Sequence, residues 1–361
     1  MFDIRLDEIP LPASERDLDT LVSWLIDTLC LHRRRGESTA DGGRFSPIHR
    51  ILKDHLIPNP TIGINSKDLS DEMALTPAAI HHHLTRLTSG GLVSSSGGNS
   101  WRLHHLCGGD LLKAVDTMSQ RSKLIQKQRM EYIEQAWQRG NDIIMEMELA
   151  PDPMPALNLR VKEWSPISSS ECELSRFMAD FGLLGERPGK EISPDSISVK
   201  LFEMLLNSGP PISIDEAAKS LAAPKPRIGR ILERFRATGL VERIARTDRL
   251  ATALWSAMNT QYLRRGEDWM LKRGGFERLD APNSIFKKLK KGNLTAEFVK
   301  SEFKQIPAQE QMLLLNLLGG RLALGYRLVG DSPQSTIRKS QENLDRILQR
   351  IRRVATIIEQ S

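Results

Sequence analysis

Residues 76–93 read TPAAIHHHLTRLTSGGLV. Thr76 is a preferred helix N-cap, and Pro77 follows at the first helical position, where its missing N–H leaves no helical hydrogen bond unmade. Apolar side chains then recur at the spacing of one helix face, and they are Ile80, Leu84 and Leu87. Two glycines at 90–91 end this pattern. The segment therefore predicts a short helix that turns tightly into a β-strand.

The flanking residues complete a small unit of three helices and two strands. Ser46 caps a first helix, and Asn65 or Ser66 caps a second one after a short β-like stretch at 62–64. The inward positions of these two helices are Ile48, Ile51, Leu52, Leu56, Leu69 and Met73. The two strands are residues 92–94 and 101–103, on either side of a tip rich in serine, glycine and asparagine.

The same pattern occurs a second time in the chain. Ser213 and Glu216 form an S-x-x-E capping box, and Pro226 opens the third helix of this copy. Matched positions of the last two helices are 148 residues apart in every case. The pairs are Ile80 with Ile228, Leu84 with Leu232, Leu87 with Phe235, and Gly91 with Gly239. We therefore expect two copies of one unit, at 46–106 and at 195–256.

Residues 76–93, and most specifically the string HL-x-x-L-x-x-x-GLV at 83–93, resemble a known class of DNA reader. They are similar to the recognition helix, and the turn into the wing, of winged helix-turn-helix regulators of the ArsR and MarR type. The resemblance implies that two helices and a hairpin hold the third helix with a free outer face, about as wide as a major groove. It implies transcription regulation through sequence-specific binding of double-stranded DNA.

The outward positions of the third helices are the expected DNA contacts. In the first copy they are Thr76, Ala78, His81, His82, Thr85 and Arg86, with Arg102 in the wing. In the second copy they are Lys225, Arg227, Arg230 and Arg234, with Arg243, Arg246 and Arg249 in the wing. Because arginine bridges phosphates and pairs with guanine edges, the second copy is expected to be the stronger electrostatic reader. For either copy the alternative is a protein-binding module.

The composition is that of a globular chain of two or three domains, with a mild preference for an anionic partner. The chain has 361 residues, a formal net charge of +6 and three cysteines, none in a C-x-x-C pair. The charge favours an anionic partner, and the sparse cysteines favour the reducing cytoplasm. No signal peptide or membrane-spanning segment is expected.

No catalytic motif stands out, so we expect neither an enzyme nor a cofactor. The chain lacks a phosphate-binding P-loop, an H-E-x-x-H motif and a G-x-S-x-G elbow. Three consecutive histidines at 81–83 point about 100° apart on a helix, so they do not converge on one metal ion.

The remaining regions are expected to connect or brace the two copies. Residues 1–45 predict a strand at 2–6, a helix from a cap at Ser14 to about residue 32, and a flexible linker at 33–44. Residues 107–194 predict a long helix from 110 to about 138, then a hairpin of 143–149 with 157–161, then a linker. The long helix is either a spacer packed within the chain or a dimerisation helix.

Residues 257–361 are expected to be helical, with basic stretches at 287–291 and 346–353. Residues 306–339 resemble the helix-turn-helix of sigma-factor region 4, with 322–328 as the middle helix. The last helix repeats apolar residues about every 3.5 positions, from Leu344 to Ile358. That helix either packs on its own chain, pairs in a homodimer or contacts DNA.

The sequence thus predicts a mainly α protein with small β-wings, in which two winged helix-turn-helix domains are joined by helical linkers. The expected function is transcription regulation by DNA binding. The alternatives are a replication-initiation protein, or an assembly or partition protein whose winged helices contact protein. Effector and operator are not specified by the sequence.

Overall fold

A computed structural model describes residues 1–12, 17–32, 46–98, 102–138, 147–279 and 282–361. The chain is mainly helical with small antiparallel sheets, which confirms the expected fold class at that level. Within the described ranges, no helix combines the length and the apolar character needed to cross a membrane.

The first half of the chain runs from an N-terminal strand to a long helix. Its elements are β1 (Asp3–Asp7), α1 (Leu18–Thr28), α2 (Pro47–Arg50), β2 (Ile64–Asn65), α3 (Ser66–Met73), α4 (Pro77–Ser89), β3 (Val93–Ser96), β4 (Leu103–Leu106) and α5 (Leu111–Ala136). The helix α2 continues directly as a π-helical stretch, Ile51–Leu56.

The second half repeats this order and adds four helices. Its elements are β5 (Asn158–Lys162), α6 (Glu173–Asp180), α7 (Ile197–Asn207), α8 (Ile214–Ser220), α9 (Lys225–Ala237), β6 (Val241–Ala245), α10 (Leu250–Lys272), α11 (Pro282–Lys290), α12 (Ala296–Glu302), α13 (Ala308–Leu317), β7 (Leu324–Leu328) and α14 (Pro333–Glu359). The strand β7 and the helix α14 correspond by order to β4 and α5. We call α2 to β4 the first module, and α7 to β6 together with β7 the second module.

The two modules have related sheets, of three strands in the first and two strands in the second. In the first, β4 lies in the middle and pairs antiparallel with both β2 and β3. In the second, β7 pairs antiparallel with β6 and forms one bridge from Tyr326 to Ile212, directly before α8. The bridge at Ile212 thus takes the position beside β7 that β2 takes beside β4, and the strand that follows the third helix lies on the other side in both modules.

Local signals in the sequence explain why the third helices begin and end where they do. The side chain of Thr76 accepts a hydrogen bond from the Ala79 N–H at 3.3 Å, as predicted for the cap of α4. Gly91 and Gly239, which follow α4 and α9, both have a left-handed φ, of 78° and 75°. A Cβ at Gly91 would lie 2.9 Å from the Phe2 ring, so that turn has no room for a side chain.

The expected hairpin of the second wing is not local. After β6 the chain forms α10 to α13 before β7 returns to complete the ladder, with Val241 opposite Leu328 and Ala245 opposite Leu324. The second module therefore does not end at residue 256, as expected, but includes 324–328. We call residues 246–323 the insert.

The predicted C-terminal helix-turn-helix is wrong. Its expected middle helix, residues 322–328, contains the strand β7, which pairs with β6. A short apolar run has no periodicity that separates a strand from a helix, and here the second module supplied a strand partner.

The predicted hairpin of 143–149 with 157–161 is also wrong. The strand β5 pairs with β1 instead, with Asp3 opposite Lys162 and Asp7 opposite Asn158. Residues 147–149 are not in a strand, and 143–146 lie outside the described residues.

The N-terminal helix is shorter than expected. Asp17 caps α1 by accepting a hydrogen bond from the Thr20 N–H at 3.1 Å, and the helix ends at Thr28 rather than near residue 32. The predicted cap at Ser14 and the predicted linker at 33–44 fall outside the described residues.

The helices α5 and α14 pack against each other in antiparallel orientation over their whole length. Asp116 pairs with Arg352 at 2.8 Å near one end, and Glu134 accepts a hydrogen bond from Gln334 at 3.0 Å near the other. Between them, the buried Gln126 donates to the Ser340 hydroxyl at 2.9 Å. The apolar seam of α14 is thus buried within its own chain. It is Leu344, Ile347, Leu348, Ile351, Val354, Ala355 and Ile358.

Each of these two antiparallel pairings has an approximate local twofold axis. The antiparallel strands β1 and β5 face each other at their centres, Arg5 opposite Arg160, and the antiparallel helices α5 and α14 do the same. Since α5 leaves the first module and α14 leaves the second, the two modules lie at opposite ends of the helix pair.

A buried ion cluster joins α6 to α5 and β5. The carboxylate of Asp180 is fully buried, 2.9 Å from the Arg129 guanidinium and 3.0 Å from Nζ of Lys162. Burial lowers the pKa of Arg129, and the charge of Asp180 opposes that effect. Asp180 therefore compensates the buried charge of Arg129.

Candidate nucleic-acid interface

The outer face of α4 is exposed but carries little charge. Ala78, His81, His82 and Thr85 all face solvent, as expected, and Thr76 is exposed at the cap. The Thr85 hydroxyl lies 3.4 Å from Nε2 of His81. This face offers hydroxyl and imidazole groups, which suit base edges better than phosphates.

Arg86 does not belong to that face. Its guanidinium is partly buried and donates to the backbone carbonyls of Leu31, at 2.9 Å, and His32. The residue therefore ties the end of the α1 segment to α4, and the structure removes it from the predicted contacts. Arg102, in contrast, is exposed immediately before β4.

A buried histidine lies at the contact between the strands β3 and β4 of the first module. His104 on β4 is 6% exposed, and its Nδ1 lies 2.8 Å from the Ser95 hydroxyl on β3. Burial, together with the nearby charge of Arg102, lowers the pKa of His104. The His104 ring thus links β3 and β4.

The first turns of α9 present a short basic row. Lys225, Arg227 and Arg230 are all exposed, as the sequence predicts. Lys225 pairs with Asp215 at 2.7 Å, and Arg227 pairs with Glu191 at 3.0 Å. The Arg230 guanidinium donates to the Pro226 carbonyl of its own helix at 3.3 Å.

These ion pairs are weak enough for a phosphate to replace them. The side chains of Lys225 and Asp215 are 64% and 72% exposed, and those of Arg227 and Glu191 are 45% and 31% exposed. Pairs of this kind contribute about 0–1 kcal/mol each. A DNA phosphate therefore competes with these carboxylates at little cost, because its neutralisation by a basic side chain releases condensed counterions.

Arg234 is partly covered by the segment between α6 and α7. Its guanidinium donates to the Ser198 hydroxyl at 3.1 Å, and its side chain passes 3.7 Å from the position of a Cβ on Gly185. Burial lowers its pKa. Arg234 therefore braces α9 against this segment, and the exposed basic side chains of α9 lie in its N-terminal half.

The wing arginines of the second module are largely committed to carboxylates. Arg243 pairs with Asp152 at 2.6 Å, and Arg249 pairs with Glu216 while its side chain stays 52% exposed. Arg246 is only 3% exposed and pairs with both Glu216 and Asp248. Burial alone would lower the pKa of Arg246, but these two carboxylates outweigh it and raise the pKa. Arg246 is therefore a structural ion-pair centre, and its expected role as a surface contact is corrected.

No motif in the sequence predicts a role for the insert in the site, although the insert contains the basic stretch 287–291. The signal was present in the charge count. Residues 246–323 contain fourteen lysines and arginines against eight aspartates and glutamates. Their net charge of +6 equals that of the whole chain.

No metal centre is formed in the part of the chain that the structure describes, where no three His, Cys, Asp or Glu side chains come together. Comparison of the chain with protein-family models, with curated proteins and with solved structures finds no match.

Proposed function

We propose that this chain is a sequence-specific DNA-binding transcription regulator, and that each module is a winged helix-turn-helix with α4 or α9 as its recognition helix. The observation that carries the proposal is the exposed basic row of Lys225, Arg227 and Arg230 on the third helix of a three-helix unit with a small sheet. Such a unit fits a helix into the major groove while its wing touches the backbone.

The approximate local twofold axes of the β1–β5 and α5–α14 pairings support the binding of two half-sites by one chain. A helix of 26 residues such as α5 is roughly 39 Å long at 1.5 Å per residue. This length is on the scale of one DNA turn, about 34–36 Å, which separates the half-sites of dimeric readers. Modules related by a twofold axis read half-sites of opposite orientation.

The two half-sites differ because the two recognition helices differ. α9 offers arginines, which pair with guanine O6 and N7, whereas α4 offers His81, His82 and Thr85. The preferred duplex is therefore an imperfect inverted repeat, with one half rich in guanine contacts. The second module supplies most of the phosphate attraction.

Selection from a pool of random-sequence duplexes, at low and at physiological salt, tests this function. We expect enrichment of two unlike half-sites in inverted orientation, with one chain in each complex. A steep loss of affinity with salt and no enriched sequence would reduce the protein to a nonspecific DNA binder. Absence of binding at low salt would refute the proposal.

A protein-contact role is the second candidate for the first module alone. Its support is that no lysine or arginine stands among the exposed outer positions of α4, where Ala78, His81, His82 and Thr85 lie. If the selection recovers a single half-site, and changes in α4 leave affinity unaltered, the first module is a protein-binding winged helix. Recovery of both half-sites excludes this second candidate.

A further inference from the structure

The insert occupies the place of the wing tip in the second module. In the first module only residues 97–102 separate β3 from β4, whereas the described residues between β6 and β7 include the helices α10 to α13. These helices have their own apolar core, which includes Met258, Phe276, Phe286, Val299 and Leu315. The insert is thus a packed subdomain at the end of the wing strands.

The helix α11 presents lysines on its outer side. Its inner side chains Ile285, Phe286 and Leu289 are buried in the core of the insert. Lys287 on α11 and Lys291, the first residue after α11, are exposed. Since Ile285, Phe286 and Leu289 form the inner side of the helix, Lys287 points away from the core of the insert.

Contacts on both flanks fix the orientation of α11. Lys290 pairs with Glu267 of α10 at 2.7 Å, and the Ser284 hydroxyl donates to Glu302 of α12 at 2.8 Å. Nζ of Lys288 lies 5.1 Å from the centroid of the Phe298 ring on α12. The outer lysine face is therefore held in place by both neighbouring helices.

Lys287 and Lys291 differ in their ion pairing from the arginines in β6 and shortly after it. Within the described ranges, no carboxylate pairs with Lys287 or Lys291. Arg243, Arg246 and Arg249 each have an acidic partner, which is Asp152 for Arg243 and Glu216 for the other two. Among the described residues, Lys287 and Lys291 therefore carry unpaired positive charge on the surface of the insert.

We propose that the insert is a third DNA contact, in which Lys287 and Lys291 bind backbone phosphates flanking the half-site of the second module. This inference rests on the proposed function. Lysine is a flexible point charge that suits phosphate rather than base edges, so the contact adds affinity without sequence preference. Because a wing tip lies beside the DNA backbone in this class of reader, a basic subdomain there extends the footprint on one side only.

The test compares Lys287→Gln/Lys291→Gln with the unaltered chain on a duplex that extends one helical turn beyond the selected sites. Two lost phosphate contacts should reduce the slope of log affinity against log salt by about 1.8, and affinity near 0.15 M salt by roughly 30-fold. Lys287→Arg/Lys291→Arg, which keeps both charges, should bind like the unaltered chain.

The matched control is Lys123→Gln/Lys127→Gln, also two exposed lysines one turn apart, on α5. An equal loss in this control would show a general charge effect and overturn the proposal. An unchanged slope in Lys287→Gln/Lys291→Gln would also overturn it, while binding by the unaltered chain would leave the proposed function standing. If the unaltered chain does not bind, both fall.

Discussion

The double change Arg227→Glu/Arg230→Glu is expected to weaken DNA binding on the order of 10³-fold, since a good arginine contact contributes about 1–3 kcal/mol and the new carboxylates repel phosphates. Both side chains are exposed on α9, so the fold should persist with an unchanged melting temperature. Fluorescence anisotropy on the selected duplex measures the change in affinity.

The control for this change is Arg338→Glu/Arg353→Glu, which alters the same charge at two exposed positions of α14. We expect this control to lower affinity far less, because it changes only the overall electrostatic attraction between the protein and DNA. Binding by Arg227→Glu/Arg230→Glu that stays within about threefold of the unaltered chain would remove α9 from the interface. Retention of binding would favour a protein partner for the second module.

The change Asp180→Ala is expected to lower the free energy of unfolding by about 3–5 kcal/mol, because it leaves a buried guanidinium without its counter-charge. Asp180 is the acidic centre between Arg129 of α5 and Lys162 of β5, with Arg176 at 3.9 Å. Urea denaturation at neutral pH gives the difference.

Asp195→Ala is the comparison, because Asp195 is 89% exposed and pairs only at the surface with Lys200. It should cost less than about 0.5 kcal/mol. If Asp180→Ala costs under about 1 kcal/mol, the ion cluster does not stabilise the packing of α6 against α5. The cluster would then give no support to a rigid arrangement of the two halves.

The sequence predicts the local elements of both modules well. The caps Thr76 and Ser213, the apolar spacing of α4 and α9, and the glycines at 91 and 239 act over a few residues, so their effect is visible in the chain itself. The repeat offset of 148 also identifies the copies without any structure.

Long-range pairing is where sequence reasoning fails. The strand β7 pairs with β6, about eighty residues upstream, and β5 pairs with β1 rather than with the adjacent residues 143–149. No local pattern specifies such partners, because a strand has the same alternation whichever strand it pairs with.

The charged site residues were only partly predictable for a similar reason. Arg246 is an exposed wing residue by sequence, but Glu216 and Asp248 enclose it. Arg86 reaches the backbone of the α1 segment, 54–55 residues earlier. The exposure of Arg227 and Arg230 was predicted correctly, because helix periodicity alone places them away from the buried Ile228 and Leu232.

The central claim is that one chain holds two DNA-reading modules at a fixed separation. It is tested most directly by inserting half a helical turn of DNA between the two selected half-sites and measuring affinity and stoichiometry. The account predicts one chain per duplex and a loss on the order of 10²-fold, to the affinity of a single half-site, because both modules no longer bind together. An affinity that is unaffected by this spacing, or two chains on one site, would contradict it.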